Sequence, residues 1–137
     1  MPIRYRIDPK RRLVVTRGYG TFTDPEVFQY QQEVWSRAEL AWYDELVDMT
    51  HVQEIAVPHP DRVRELSELA AKMDMPGIPS KMAILAPDDH AFGLGRMFQA
   101  YRKLDPRSKK QVEVFRTLPE AMEFLGLKEA PQFPEFS

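Results

Sequence analysis

The sequence predicts an α/β protein with a mixed sheet of about five strands and helices packed against it. An alternating segment, a turn and a second apolar segment open the chain, a pattern typical of an antiparallel hairpin. Strand-like and helix-like patterns then alternate, which indicates βαβ units with right-handed crossovers. Residues 81–86 form an apolar run after a single charge, which indicates a strand covered on both faces. The predicted order is ββαβαβαβα.

The opening hairpin pairs an alternating strand around Tyr5 with a second strand that begins at Leu13, across a turn at Asp8-Pro9-Lys10. Gly18 and Gly20 flank Tyr19 and predict a bulge or a close backbone approach. Thr23 and Glu26 have the spacing of a capping box, so a helix begins there and ends near Leu40.

Residues 43–52 predict the next strand, and residues 51–58 predict a connection to the second helix. That helix begins around Pro60 and stops at 75–79, where Pro and Gly cluster. The third helix follows Pro87–His90 and ends at Asp105-Pro106. The last strand carries Glu113 and Arg116, which suggests a sheet edge. A second capping box at 117–120 begins a short helix that Gly126 closes.

Length and composition set limits on the function. The 137 residues fit one domain over 1–127, followed by a tail, 128–137, that is either disordered or laid across a surface groove. Lys plus Arg number 19 and Asp plus Glu number 21, which gives no general attraction to nucleic acid. No apolar run approaches the ~20 residues of a membrane span, and the charged first residues do not predict a secretory signal. The chain has no cysteine, which excludes disulfides and thiolate sites and suits a cytoplasmic protein.

The predicted carboxyl ends of the parallel strands, where such sheets usually bind ligands, are 48–50, 87–90 and 116–117. At the first, Asp48, Thr50 and His51 supply a carboxylate, a hydroxyl and an imidazole that could bind an anion or transfer a proton. The alternative is that Asp48 and Thr50 hydrogen-bond the local backbone and shape the turn.

Asp88-Asp89-His90, together with His51 and His59, could form an oxygen and imidazole metal site. Adjacent residues point in different directions, however, and Asp is a favoured helix cap. No recognisable ligand spacing is present, so the sequence predicts no metal and no other cofactor.

The segment 92–96, Phe-Gly-Leu-Gly-Arg, begins the third helix, where free N–H groups favour anions and Arg96 could pair with a phosphate. Phe98 replaces the third glycine of a dinucleotide motif, so close packing of the helix on the sheet or on another subunit is the simpler explanation. Phe92, Met97 and Tyr101 nearby could line an apolar pocket, form a dimer face or belong to the core. Lys109-Lys110 predicts a solvated basic loop.

Three stretches of the chain resemble the SpoIIAA-like (STAS/SEC14-related) family of small bacterial proteins, which have the STAS fold of anti-sigma-factor antagonists. They are the glycine-and-threonine passage 18–23, the strand 46–50, and the segment 92–98 followed by 114–115 and 120–121. The resemblance spans about Ile3 to Leu127 and implies a STAS-like sheet. Phosphorylatable antagonists carry a serine where this chain has Ile55-Ala56-Val57-Pro58, so the resemblance does not extend to a phospho-switch, and Thr50 is not the phosphosite.

The leading expectation is therefore a non-enzymatic STAS-like module that works by protein–protein contact, as a homodimer and with a regulatory partner. The expected contact surface contains Phe92, Arg96, Met97 and Tyr101. The alternative is a binder of a small apolar or lipid-like molecule, which the SEC14-related resemblance implies, held near Asp48, Thr50, His90 and Arg96. An enzyme with His51 or His90 as general base is a third possibility.

Overall fold

The five strands lie side by side in chain order in the computed structural model, which describes residues 3–56, 59–74 and 79–135. β1 is antiparallel to β2, and each later strand is parallel to its neighbour. The predicted mixed sheet is confirmed, with β3 at its centre and β5 at an edge. The strands are β1 (Ile3–Asp8), β2 (Leu13–Thr23), β3 (Asp44–Ala56), β4 (Ser80–Leu85) and β5 (Lys110–Phe115).

The helices cover the two faces of the sheet unequally. They are α1 (Asp24–Trp35), α2 (Pro60–Met73), α3 (Asp89–Leu104) and α4 (Leu118–Leu125), which confirms the predicted order. Crossovers of one hand between sequential parallel strands place α1, α2 and α3 on one face, here called the helix face. α4 packs on the opposite face, here called the tail face. The tail-face core contains Leu13, Val15, Leu46, Ala83, Leu85, Ala121 and Leu125, with Phe133 packed against it.

β3 is longer than the sequence predicted. The connection expected from residue 51 onward is wrong as far as Ala56, because the strand continues and pairs with β2 up to Thr23. Residues 57 and 58 lie outside the described residues. Pairing of β3 with β4 ends at Asp48, so the far halves of β2 and β3 extend past the rest of the sheet as a two-stranded ribbon.

Two irregularities in the β2–β3 register bend this ribbon. Arg17 pairs with Asp48 and Tyr19 with His51, so two residues of β3 oppose Gly18 alone. Such a bulge increases the local twist. A side chain at position 18 would place its Cβ 2.3 Å from Phe22 Cε1, while Gly20 has a φ of +59°. The bulge and the close approach predicted from the two glycines are both confirmed.

α1 begins where its capping box predicts, but the box is not formed in the expected way. Thr23 Oγ1 donates to Glu26 Oε1 at 2.8 Å and makes no bond to the backbone. A capping oxygen accepts from the N–H of the second or third helical residue, and the second is Pro25, which has no N–H. A bond from the backbone to Thr23 is therefore less favoured here. The helix also ends at Trp35 rather than near Leu40, and a 3-10 turn over Ala38–Leu40 then buries Leu40.

The tail was predicted either to be disordered or to lie across a surface groove. Its described part lies across the sheet, as the second alternative predicted. Tyr19 Oη donates to the carbonyl of Pro134 at 2.8 Å, and the Arg17 guanidinium lies 4.1 Å from the centre of the Phe133 ring. Arg11 also donates to the carbonyl of Glu129. Residues 127–135 therefore form the outer layer of the tail face beside α4. Among the described helices, none combines the length and the apolar character that a bilayer span requires.

Candidate functional site

Asp48 is buried, and both of its carboxylate oxygens are occupied by neighbouring groups. Oδ1 accepts from the Thr50 backbone N–H at 3.0 Å and from Thr50 Oγ1 at 2.5 Å. Oδ2 accepts from Arg17 Nε at 2.8 Å. Asp48 and Thr50 therefore shape a local turn, which the ion pair with Arg17 closes. This agrees with the second of the two interpretations of these residues.

The Asp48 corner lies at the bulge of β3 rather than at the end of the strand, and it belongs to the tail face. The Arg17 guanidinium that holds Asp48 lies over the Phe133 ring, so the tail covers the corner from outside. His51 is exposed nearby, with its ring stacked on Tyr19 at 6.2 Å between centroids.

His90 and Arg96 lie on α3, which packs on the helix face, away from the Asp48 corner. Asp88 caps α3 by accepting from the N–H groups of His90 and Ala91. The His90 side chain is exposed and lines a cleft of about 200 Å³ with Glu54 and Asp88. The fold thus brings Asp48 and Thr50 together but places His90 and Arg96 on the opposite side of the sheet.

The histidines do not converge. His59 Nδ1 accepts from the Asp61 N–H and caps α2. The His90 imidazole makes no hydrogen bond to a carboxylate among the described residues. Within residues 3–56, 59–74 and 79–135, no group of three or more His, Asp or Glu side chains could hold a metal ion.

An apolar cavity of about 130 Å³, open to the surface, lies on the helix face, and every described residue that lines it is apolar. The sheet lines one side of the cavity and α2 and α3 line the other, with Ile55 of the ribbon among the lining residues. Ile55 and Ala91 also line the cleft that contains His90, so the cavity and the cleft adjoin. The lining is Phe22, Val27, Val47, Met49, Ile55, Val63, Leu66, Met82, Ile84, Ala91, Leu94, Gly95 and Phe98.

The four residues expected at a contact surface occupy two flanks of α3. Successive residues turn by about 100° around a helix, so Phe92 and Arg96 share one flank and Met97 and Tyr101 the other. Phe92 lies under the Arg116 guanidinium at 4.2 Å. All three apolar members are partly buried against the helix-face core, whereas Arg96 is exposed.

The ridge between these flanks is the outermost part of α3. It carries the small residues Gly93 and Ala100 and ends at Leu104, which is 80% exposed. Small residues permit close approach of another helix, and an exposed leucine favours burial against a partner. The outer surface of α3 therefore contains Gly93, Arg96, Met97, Ala100 and Leu104.

A buried ionic cluster that the sequence did not predict lies near the start of β3 and β5. Lys110 Nζ donates to Glu45 Oε1 at 3.1 Å and lies 3.2 Å from the centre of the Trp35 ring. Tyr30 Oη and Trp35 Nε1 donate to Glu45 Oε2 at 2.8 and 3.2 Å. The basic loop expected at Lys109-Lys110 is therefore wrong for Lys110, whose side chain is buried.

Burial governs the protonation of this cluster. Loss of solvent lowers the pKa of Lys110, although the charge of Glu45 opposes that shift. Burial, followed by the negative charge of Glu45, raises the pKa of the Tyr30 phenol well above its usual value. Both shifts follow from the closed surroundings, and they indicate a structural rather than a solvent-accessible cluster.

Strand periodicity could have revealed the cluster. Side chains alternate between faces, so Glu45 shares a face with Val47, and Lys110 shares one with Val112 and Val114. A sheet covered on both faces buries all of them, charged residues included.

Comparison with known proteins agrees on the fold. No protein-family model matches the chain, and none of the curated proteins matches it either. Among solved structures, the chain is similar to an uncharacterized protein from the DUF3478 family with a SpoIIAA-like fold, from Shewanella loihica PV-4. The identity is 14%, the TM-score is 0.56, and the match covers 90% of this chain and 93% of the other. The chain therefore has a SpoIIAA-like fold, as its sequence patterns implied.

Proposed function

We propose that this protein is a non-enzymatic, STAS-like interaction module that forms a homodimer through the outer surface of α3. The observation that carries the proposal is the ridge of Gly93, Ala100 and Leu104, which ends in a leucine that the described part of the chain leaves 80% exposed. The Asp48 corner supports a non-catalytic role, since its carboxylate is already bound by Arg17 and Thr50.

A partner that regulates this module would not do so through the phosphoserine of the antagonists. The corresponding stretch, 55–58, contains no hydroxyl group. Thr50 is not a substitute, because its hydroxyl donates to the buried Asp48 carboxylate. Contact with the partner would therefore depend on surface shape and charge rather than on modification of this segment.

Light scattering after size-exclusion chromatography tests the dimer. We expect a mass twice the 16.0 kDa of one chain, and a shift to one chain for Leu104→Asp. Trp42→Asp is the matched control, because Trp42 is also exposed but lies outside α3. A mass of one chain at all concentrations would overturn the dimer.

The apolar cavity favours a second candidate function, the binding of a small apolar molecule or one end of an acyl chain. Its described lining has no polar side chain, and small-molecule sites in proteins are concave and mostly apolar. The adjoining cleft with Glu54 and His90 would accommodate a polar end group.

Methionine methyl NMR with benzene and 1-hexanol as probes tests this candidate. Met49 and Met82 line the cavity, whereas Met122 lies on α4 across the sheet. We expect saturable shifts at Met49 and Met82 and none at Met122. Equal shifts at all three methyl groups, or none, would contradict a specific site.

A further inference from the structure

The outer edge of β1 is unpaired within the described part of the chain. β1 pairs with β2 alone, and it is one end of the sheet. Alternate residues of an edge strand direct their N–H and C=O groups outward, where another extended segment can bind them. β1 therefore presents a template for one more strand.

A groove of about 820 Å³ follows this edge. Four consecutive residues of β1 line this groove, Ile3, Arg4, Tyr5 and Arg6. Successive side chains of a strand, however, point to opposite faces of the sheet. The space must therefore run along the edge rather than over one face. α1 forms one wall with Glu26, Tyr30 and Glu33, and the tail forms the other with Pro134 and Glu135.

The β1 edge and the α1 wall of the groove differ in charge, and the tail wall adds the carboxylate of Glu135. Tyr5 packs toward α1, so Arg4 and Arg6 project toward the tail face. Arg6 is exposed and forms no hydrogen bond or ion pair with the described residues. The α1 wall carries the opposite charge, at Glu26 and the exposed Glu33.

Glu26 adds an unmet hydrogen-bonding requirement. Its Oε1 accepts from Thr23, but its buried Oε2 has no hydrogen-bond partner among the described residues. Leaving a buried acceptor unpaired destabilises the fold, and more so when the acceptor is charged. A donor supplied by a ligand in the groove would remove that destabilisation.

A second copy of β1 fits less well, because each of its two longest antiparallel registers sets arginines against each other. A pair centred on Tyr5 would set Arg4 of each copy against Arg6 of the other. A pair centred on Arg6 would set the two Arg6 side chains against each other, while Arg4 of each copy would face Asp8 of the other. Like charges directly opposite each other destabilise a pair of strands.

We infer that the β1 groove binds an extended peptide of a partner protein as a sixth strand. An acidic residue of the peptide faces Arg6, the residues on its other face are apolar, and one lysine reaches Glu26. Main-chain pairing supplies affinity, and the alternating side chains supply specificity. This inference names a partner class for the interaction role proposed above, but it uses a different surface from α3.

Fluorescence anisotropy with a labelled peptide of about seven residues tests the inference. The sequence of the probe is Glu-Val-Glu-Lys-Glu-Val-Glu. We expect saturable binding, and binding at least about tenfold weaker for the same peptide with N-methyl groups on alternate backbone nitrogens, which blocks strand pairing but keeps the charge. Equal binding of both peptides, or no saturation up to about 1 mM, would overturn the inference.

Two charge reversals complete the experiment. Arg6→Glu should weaken binding about tenfold, and a probe with lysine in place of glutamate should restore it. Lys103→Glu makes the same charge change at an exposed site on α3 and should leave binding unchanged. An equal loss in both variants would overturn the inference, as would a change of oligomeric state in Arg6→Glu, which would assign the edge to a second copy.

The α3 proposal and this inference fail separately. Leu104→Asp should abolish the dimer and retain peptide binding. A monomeric wild-type protein that binds the peptide would exclude the α3 dimer alone, and a dimer that does not bind it would exclude the β1 site alone.

Discussion

Glu45 and Asp48 lie three residues apart on β3, on opposite faces of the sheet, and each is 2% exposed. Each carboxylate is paired with one cation, Lys110 or Arg17. The Lys110 side chain is 8% exposed and packs on Trp35, whereas the Arg17 side chain is 18% exposed and is covered by the tail. Core side chains therefore shield the Glu45 pair from solvent, whereas a surface segment, the tail, shields the Asp48 pair. Removal of one partner should therefore cost more stability in the Glu45 pair, and the Asp48 pair should be the more accessible of the two.

The largest expected effect is that of Glu45→Leu. This change leaves the Lys110 ammonium group buried without a carboxylate, so the free energy of unfolding should fall by about 3–5 kcal/mol. Urea unfolding followed by tryptophan fluorescence measures the loss.

Adding Lys110→Met to Glu45→Leu should recover most of that stability, because apolar residues often replace a buried ion pair without loss. If the single variant is as stable as wild type, the Glu45 pair is not sealed as the structure indicates.

Asp48→Asn should have a smaller effect. It weakens the charge-assisted bond from Arg17, worth about 1.5–3 kcal/mol, and the partial exposure of Arg17 favours the lower end. Glu68→Gln is the control for a surface ion pair, with Arg64, because both side chains are about half exposed, and it should change stability much less in the same urea experiment. If Asp48→Asn and Glu45→Leu lower the free energy of unfolding equally, the two ion pairs do not differ in the way that their burial predicts.

Phe133→Ala tests whether the tail seals the tail face. Burial of a large apolar side chain stabilises by about 1.5–3 kcal/mol, and Phe133 is only partly buried, so a loss of about 1 kcal/mol is expected. Hydrogen exchange should become faster at the amides of Leu13 and Val15, whereas the Trp35 indole N–H on the helix face should be unaffected. Faster exchange at Trp35 as well would show that the two faces are not independent.

The smallest expected effect concerns alkaline pH. The folded protein keeps the Tyr30 proton where the unfolded chain loses it, because burial raises the pKa of Tyr30 well above 10.0. The stabilisation from this group is present below pH 10 and declines as the pH rises further. Tyr30→Phe should therefore lose less stability than wild type between about pH 10 and 11. Urea titrations of both proteins across this pH range measure the two slopes.

Local patterns in the sequence predicted most of the fold. The alternation in β1, the proline and acidic residues at helix starts, and Gly126 at the end of α4 all depend on neighbours within a few residues. The strand of β3 beyond Val52 was not predicted, because Gln53 and Glu54 are polar and exposed on a ribbon that only β2 supports. Its bulge was foreseen only on the β2 side, from Gly18 and Gly20.

The candidate sites were less predictable than the elements that carry them. Asp48 and Thr50 are two residues apart, and their contact could be expected from local chemistry. The placement of His90 relative to Asp48 depends on which face each crossover covers. The tail residues that cover Arg17 are more than a hundred positions away in the chain, so no local pattern relates them.

The sequence by itself determined the five strands, the four helices, the special backbone at Gly18 and Gly20 and the charge pattern of β1, because these depend on short-range sterics and side-chain periodicity. Only the tertiary structure decided that Lys110 is paired with Glu45 rather than solvated, that the tail covers the Asp48 corner, and that a groove follows the outer edge of β1. The physical reason is that burial and ion pairing are set by segments far apart in the chain, 65 residues in the case of Glu45 and Lys110.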